Sequence, residues 1–350
     1  MNEHEQVKGR GVSILGANMI FLIGIVSLVG VDIFMGRFIK TNNIKMHSES
    51  FYWIALITEF VFILLPAYLY VQFSGQNVRK VLRINRLSFV NVILIVGIMI
   101  FALPLIGFVN FIVVSIINTI GRPIPNPLPD ISNLRGLLIG TAVIAGSAGI
   151  CEEVMFRGVI LRGYERFGRT TALIVTSLLF SVMHRNIQNV LGIFFIGLLI
   201  GYLVYRTNSI FAGMIAHFTN NAMVVLITYG FSKLANMMGT NLKDLMAKQQ
   251  AAGLPNMNMV AVIFWLSIVI FSAVVFLGLI MLLKYCTRNT AEQSMQEVRN
   301  TEWGVRREVP KVKFSHYIPL IIGLALIGLK FAQGIFYILS MTPPVWLKLF

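Results

Sequence analysis

The sequence predicts an all-α fold, a polytopic bundle of eight to nine transmembrane helices. Three observations predict it. The 350-residue chain is 57% hydrophobic and only 12% charged, against about 25% charged residues in an average soluble domain. Its apolar residues come in long runs, and a spanning helix needs about 20 such residues in succession. Only helices and closed barrels satisfy their backbones in lipid, and these runs are too long for barrel strands. The basic excess, 29 Lys plus Arg against 14 Asp plus Glu, reads as a topology signal and a contact with anionic lipid, not as nucleic-acid binding. Cys151 and Cys286 lie far apart with no metal-ligand spacing, so no disulfide framework is implied.

The elements follow in order. Lys8 and Arg10 precede an apolar run over 12–35. That run exceeds a signal-peptide core and has no small-residue cleavage site, so it reads as an uncleaved first helix. Further runs cover 51–74, 88–118, 136–165, 170–184, 188–206, 209–230, 259–285 and 317–340. The run at 170–184 is short and the one at 88–118 is long. The connection "GRPIPNPLPD" (121–130) predicts an extended, semi-rigid link, since proline fixes φ and lacks a donor. Asp130 or Ser132 is then placed to cap the fourth helix. Residues 241–252 read as a short amphipathic helix stopped by Gly253 and Pro255, and 286–316 as a polar, basic loop. The methionines of 237–259 read as a membrane-interface segment. Lys and Arg concentrate on the side that holds the N-terminus, which places that end in the cytoplasm of a cell-membrane protein.

Ionisable residues inside the spans carry a functional hypothesis by default. They are Asp32, Glu59, Glu152, Glu153, Arg157, His184, His217 and Lys330, joined by the amides Asn220 and Asn221. Arg157 follows Glu153 by one helical turn and can pair with it; Glu152 has no such partner. The small residues of "GTAVIAGSAG" (140–149) let neighbouring helices approach. Glu152 and His184 lie equally far from the connection between their two helices, about 21 Å along each. His217 and Asn221 share a face of the seventh helix, so the four groups can meet at one depth. Glu59 reads as a structural hydrogen-bonding residue, Asp32 as a solvated helix end, and Lys330 as snorkelling or paired.

Around one water, a carboxylate and an imidazole make a general base. A second imidazole with an amide can stabilise an oxyanion. Alternatively two histidines and a carboxylate, here Glu152, His184 and His217, can hold a divalent metal such as zinc. Neither an HExxH nor a GxSxG stretch is present.

Three motifs then resemble the CPBP family of intramembrane proteases, the CAAX prenyl endopeptidase and bacteriocin-processing type. "EEVMFRG" (152–158) matches EExxxR, "FSVMH" (180–184) matches FxxxH, and "HFTNN" (217–221) matches HxxxN, in the family's order. The resemblance covers about 136–230 as a catalytic core. It leaves 1–135 as N-terminal helices with the proline-rich link, and 231–350 as an extramembrane loop with the C-terminal helices. It implies that Glu152 activates the hydrolytic water with help from His184, that His217 and Asn221 form the oxyanion site, and that Glu153 and Arg157 support them. Phe180 packs beside the site. The family has been described as metal-dependent and as metal-free, and the asparagine suits an oxyanion donor better than a ligand. The implied partner is a membrane-associated or lipidated peptide or protein substrate. A noncatalytic scaffold that regulates another membrane protein is the rival expectation. A proton-path transporter using Glu59 and Glu152 is a third reading, and the absence of an internal repeat speaks against it. The short fifth helix with "HRNIQN" (184–189) predicts a water-filled dip from the outer side, whereas the family's prenyl-protein processors work from the cytosolic side.

Overall fold

The computed structural model describes residues 11–42, 49–124, 131–241, 244, 259–292 and 311–344. Among them, eight helices are long and apolar enough to cross a membrane: α1 Ile14–Phe38, α2 Tyr52–Phe73, α3 Phe89–Ile120, α4 Leu134–Phe167, α6 Ile187–Thr207, α7 Ile210–Met237, α8 Val262–Cys286 and α9 Phe314–Ile338. The helix between α4 and α6, α5 (Arg169–Met183), has 15 residues. At 1.5 Å per residue it is about 22 Å long, short of the roughly 30 Å hydrocarbon core. The chain is thus a multi-pass membrane protein, with boundaries close to the apolar runs. The amphipathic segment at 241–252, most of the 286–316 loop and the second half of the proline-rich link fall outside the described residues. The fourth helix is capped by Asn133, whose side chain accepts from Gly136 N at 2.8 Å, not by Ser132. The helix begins one residue later than the cap expected from Ser132 requires.

Hydrogen bonds at the two ends fix the order of the bundle. At one end, the proximal end, Ser13 meets Tyr70, Tyr164 donates to Asn18, and Asn18 donates to the His316 carbonyl. Arg83, after α2, joins Glu165 of α4 and Asn208 between α6 and α7. At the other end, the distal end, Arg122 N donates to Ile338 O at 2.9 Å, and the Gln188 amide bonds both backbone groups of Ile124. The nine helices therefore alternate in direction, α5 included.

α4 is the axis of the bundle. Cys151 to Leu161 are buried without a break, as expected for a helix enclosed on all sides. Phe21, Ile25, Ile63, Met155 and Phe156 form a core between α1, α2 and α4. Ile95, Ile98, Leu203 and Ala216 form another between α3, α6 and α7. α8 packs mainly on α3, and its Phe264, Ile270 and Val274 are exposed, where lipid tails would cover them.

Three stretches depart from α geometry. Thr58–Leu64 in α2, and Thr141–Ser147 and Val154–Ile160 in α4, are π-helical. Such turns are rare and recur at functional sites. The two in α4 bracket the α turn Ala148–Glu153, which carries both glutamates.

Candidate active site

The site grows from Glu153, which is fully buried. Its Oε1 accepts from Arg157 Nη1 at 2.8 Å and from His217 Nδ1 at 2.9 Å. Arg157 Nη2 donates to the Gly197 carbonyl of α6 at 3.0 Å, so one guanidinium ties α4 to α6. These contacts need close backbones. A Cβ at Gly213 would lie 2.7 Å from Glu153 Oε2, and one at Gly197 would lie 3.1 Å from Ser177 Cα. At Gly149 it would meet the α7 backbone at 3.2 Å, as the small-residue stretch predicts.

Phe180 of α5 joins the motifs. Its ring is met edge-on by Phe156 at 5.1 Å, His184 at 4.9 Å and His217 at 5.6 Å, measured between centroids. The Arg157 guanidinium lies over it at 4.7 Å, an attraction between cation and ring face. His184 Nδ1 is 2.9 Å from the Phe180 carbonyl. A carbonyl only accepts, so Nδ1 carries a proton, and the neutral tautomer of this ring has its lone pair on Nε2.

The structure distributes the expected site residues unevenly. His217 bonds to Glu153, the residue expected to pair with Arg157 alone, and not to Glu152. Asn221 Nδ2 donates to the Ile144 carbonyl in the first π stretch of α4 at 2.9 Å, and Asn220 donates to Asn221 Oδ1 at 2.9 Å. One Asn221 N–H is thereby left over. Glu152 is 7% exposed, and its Oε2 has no hydrogen-bond partner. Among the described residues no hydrogen bond links it to His184.

Glu59 differs most from its sequence reading. The structural hydrogen bond expected there is not formed by Oε2, which is buried without a partner. Its π stretch packs on the α turn of Glu152, and the charges of Glu59 and Glu152 act on each other. The signal in the sequence was only that of an ionisable group in an apolar run. Asp32 is also changed: it faces Lys330 Nζ at 3.4 Å and Arg185 Nη2 at 3.6 Å, so it is paired, and Lys330 takes the paired option.

A divalent metal needs converging donors. Among the described residues no three His, Cys, Asp or Glu side chains are placed to hold one. Glu152, His184 and His217 do not form a ligand set in this arrangement.

Fold and site together define a multi-pass helical membrane protein with a buried carboxylate–histidine cluster. Residues 134–223 match the family described as Type II CAAX prenyl endopeptidase Rce1-like, so this segment is similar to a CPBP-type protease domain. The matched segment runs from the start of α4 to two residues beyond Asn221 and so includes all three motifs. No curated protein and no solved structure matches the chain.

Proposed function

We propose that the chain is an intramembrane endopeptidase that hydrolyses a peptide bond in a membrane-associated or lipidated protein or peptide. Glu152 takes the proton of the attacking water, and His184 accepts a hydrogen bond from that water at Nε2. Asn221, through its remaining N–H, and His217, through Nε2–H when its ring carries both protons, stabilise the oxyanion. Glu153 and Arg157 hold His217 in place. The observation that carries this reading is the contrast within one turn of α4: Glu153 is anchored by two hydrogen bonds to its Oε1, while its buried neighbour Glu152 forms none among the described residues.

The test is Glu152→Gln in the purified full chain, assayed on a quenched, farnesylated peptide with a CAAX sequence. Cleavage should fall by about 100-fold or more, with thermal unfolding unchanged. Full cleavage by the variant would sink the mechanism. An inert wild type whose cellular phenotype survives the substitution would favour the noncatalytic scaffold.

Orientation belongs to the same proposal. Arg79, Lys80, Arg83, Arg86, Arg162 and Arg166 lie towards the proximal end, which by the positive-inside rule faces the cytoplasm. α5 stops at His184 near the distal side, so the site opens through a dip on that face. Exposed Cys286 lies at the proximal end and Cys151 is buried. A membrane-impermeant maleimide should therefore label Cys286 only after cells are permeabilised; labelling of intact cells would invert the orientation.

A further inference from the structure

In the reaction above the leaving amine has no acid but Glu152 itself, which would have to give up the proton it took from the water. In its neutral tautomer His184 spends its one N–H on the Phe180 carbonyl and has none to give. We propose that Glu59 is a further catalytic residue, the acid half of a carboxyl pair with Glu152 that gives its proton to the leaving amine. This rests on the endopeptidase reading.

Three observations carry it. Glu59 and Glu152 come from different helices, α2 and α4, packed at the same level. Each has an oxygen that is buried and unpartnered, and Glu152 is more than nine-tenths buried. Each glutamate lies in or beside a π stretch, a rare local geometry that recurs at functional sites. The charged and titratable groups near Glu59 are few. α4 brings Glu152 and the Cys151 thiol, and both carboxylates act on that thiol. α1, also packed on this π stretch, carries no charged residue from Ile14 to Val31. Arg157 also acts on Glu152, but its hydrogen bonds go to Glu153 and Gly197. Two facing carboxylates in an apolar interior with no cation of their own cannot both stay charged at low cost. A single proton belonging to the pair resolves this.

The step balances. Glu152 takes one proton from water as the water oxygen bonds to the carbonyl carbon and the C=O electrons move to oxygen. The oxyanion re-forms the carbonyl, the C–N bond breaks, and the nitrogen takes the proton from Glu59. Glu152 is then protonated and Glu59 charged, and one proton passing between them restores the start. Water is consumed, and no electron leaves the site.

The experiment uses the full chain in lipid nanodiscs with Glu59→Gln, Glu59→Asp and Glu152→Gln. Infrared spectra across a pH titration report the C=O band of a protonated buried carboxyl, and the farnesylated CAAX-sequence peptide reports cleavage. One such band is expected in the wild type, lost or shifted by Glu59→Gln and by Glu152→Gln alike. Glu59→Gln should lower kcat by about 100-fold or more with little change in KM, and should remove the alkaline limb of the pH profile. Glu59→Asp should restore part of the rate, which a purely structural role would not predict. Absence of the band, or full kcat in Glu59→Gln, overturns the pair. A wild type that shows the shared band but cleaves nothing overturns the endopeptidase reading and leaves the pair standing.

Discussion

The proximal clamp and the mid-bundle cluster use the same residue types to different ends. In the clamp, Glu165 engages both oxygens, Oε1 with Arg83 Nη2 and Oε2 with Arg162 Nη1 at 2.7 Å. Arg83 also reaches Asn208 Oδ1 at 3.2 Å, and its carbonyl accepts Ile210 N at 3.0 Å. At mid-bundle, Glu153 stacks two donors on one oxygen, its other oxygen is idle, and Glu152 and Glu59 each keep an idle oxygen too. A carboxylate whose oxygens are all engaged holds helices together. A buried carboxylate left with an idle oxygen costs stability, and it is available to water, proton or substrate. The difference between the two clusters lies in how fully their carboxylate oxygens are engaged.

Arg157→Leu should break the comparison most violently. It strands the Glu153 carboxylate in the interior, and removing one partner of a buried pair costs about 3–5 kcal/mol. Denaturant unfolding of the purified protein measures it. Adding Glu153→Leu should recover part of the loss, because an apolar pair of similar volume leaves no buried charge. If Arg157→Leu unfolds like the wild type and loses only cleavage, the pair is catalytic rather than supporting, and the roles assigned here are reversed.

Glu165→Gln should come next. It keeps the shape of the clamp and removes its charge, at a cost of about 2–3 kcal/mol for hydrogen bonds that were charge-assisted. Cleavage per folded molecule should stay at the wild-type level. A fall in kcat at unchanged folded fraction would mean that the saturated cluster also serves the reaction.

Much of this was legible in the sequence, for stated reasons. Helix positions followed from hydropathy because lipid imposes a run length on every span. The Glu153–Arg157 pair followed from one-turn spacing. The partner of His217 did not, because it depends on how α7 is rotated against α4, and π stretches change that rotation in a way no count of 3.6 residues per turn can anticipate. Glu59 was visible as a charge in an apolar run, but its facing Glu152 is a property of packing between distant segments. The cap of α4 was missed by one residue, from Ser132 to Asn133, since several adjacent polar residues can each cap and only the helix start selects one. Gly213 gave no signal at all, because its value is the room it leaves for Glu153. Gly213→Ala should therefore push on that carboxylate from 2.7 Å and cost about 1–3 kcal/mol as overpacking. It should also lower cleavage through displacement of His217. An unchanged unfolding curve would show that α7 can retreat freely.

The smallest effect is expected at the distal mouth, where Asp32 tests how far the site extends. Asp32 is more than one-third exposed and faces Lys330 and Arg185 at 3.4 and 3.6 Å, geometry closer to a surface ion pair than to the clamp. Arg185 directly follows His184 and holds φ at 55°, a left-handed conformation rare outside glycine. Asp32→Asn should thus cost less than about 1 kcal/mol, because solvent screens the pairs and the backbone turn is held by α5 and the 3-10 turn Ile187–Asn189 rather than by charge. Raising salt from low to about 1 M should bring the wild type toward the variant, as the screening length falls to about 3 Å. Cleavage should change by no more than a few-fold at either salt. A loss comparable to that of Glu152→Gln would mean that the ion triad sets the His184 ring by fixing the residue after it. The boundary between saturated scaffold and idle site would then have to be drawn around the mouth as well as the middle of the bundle.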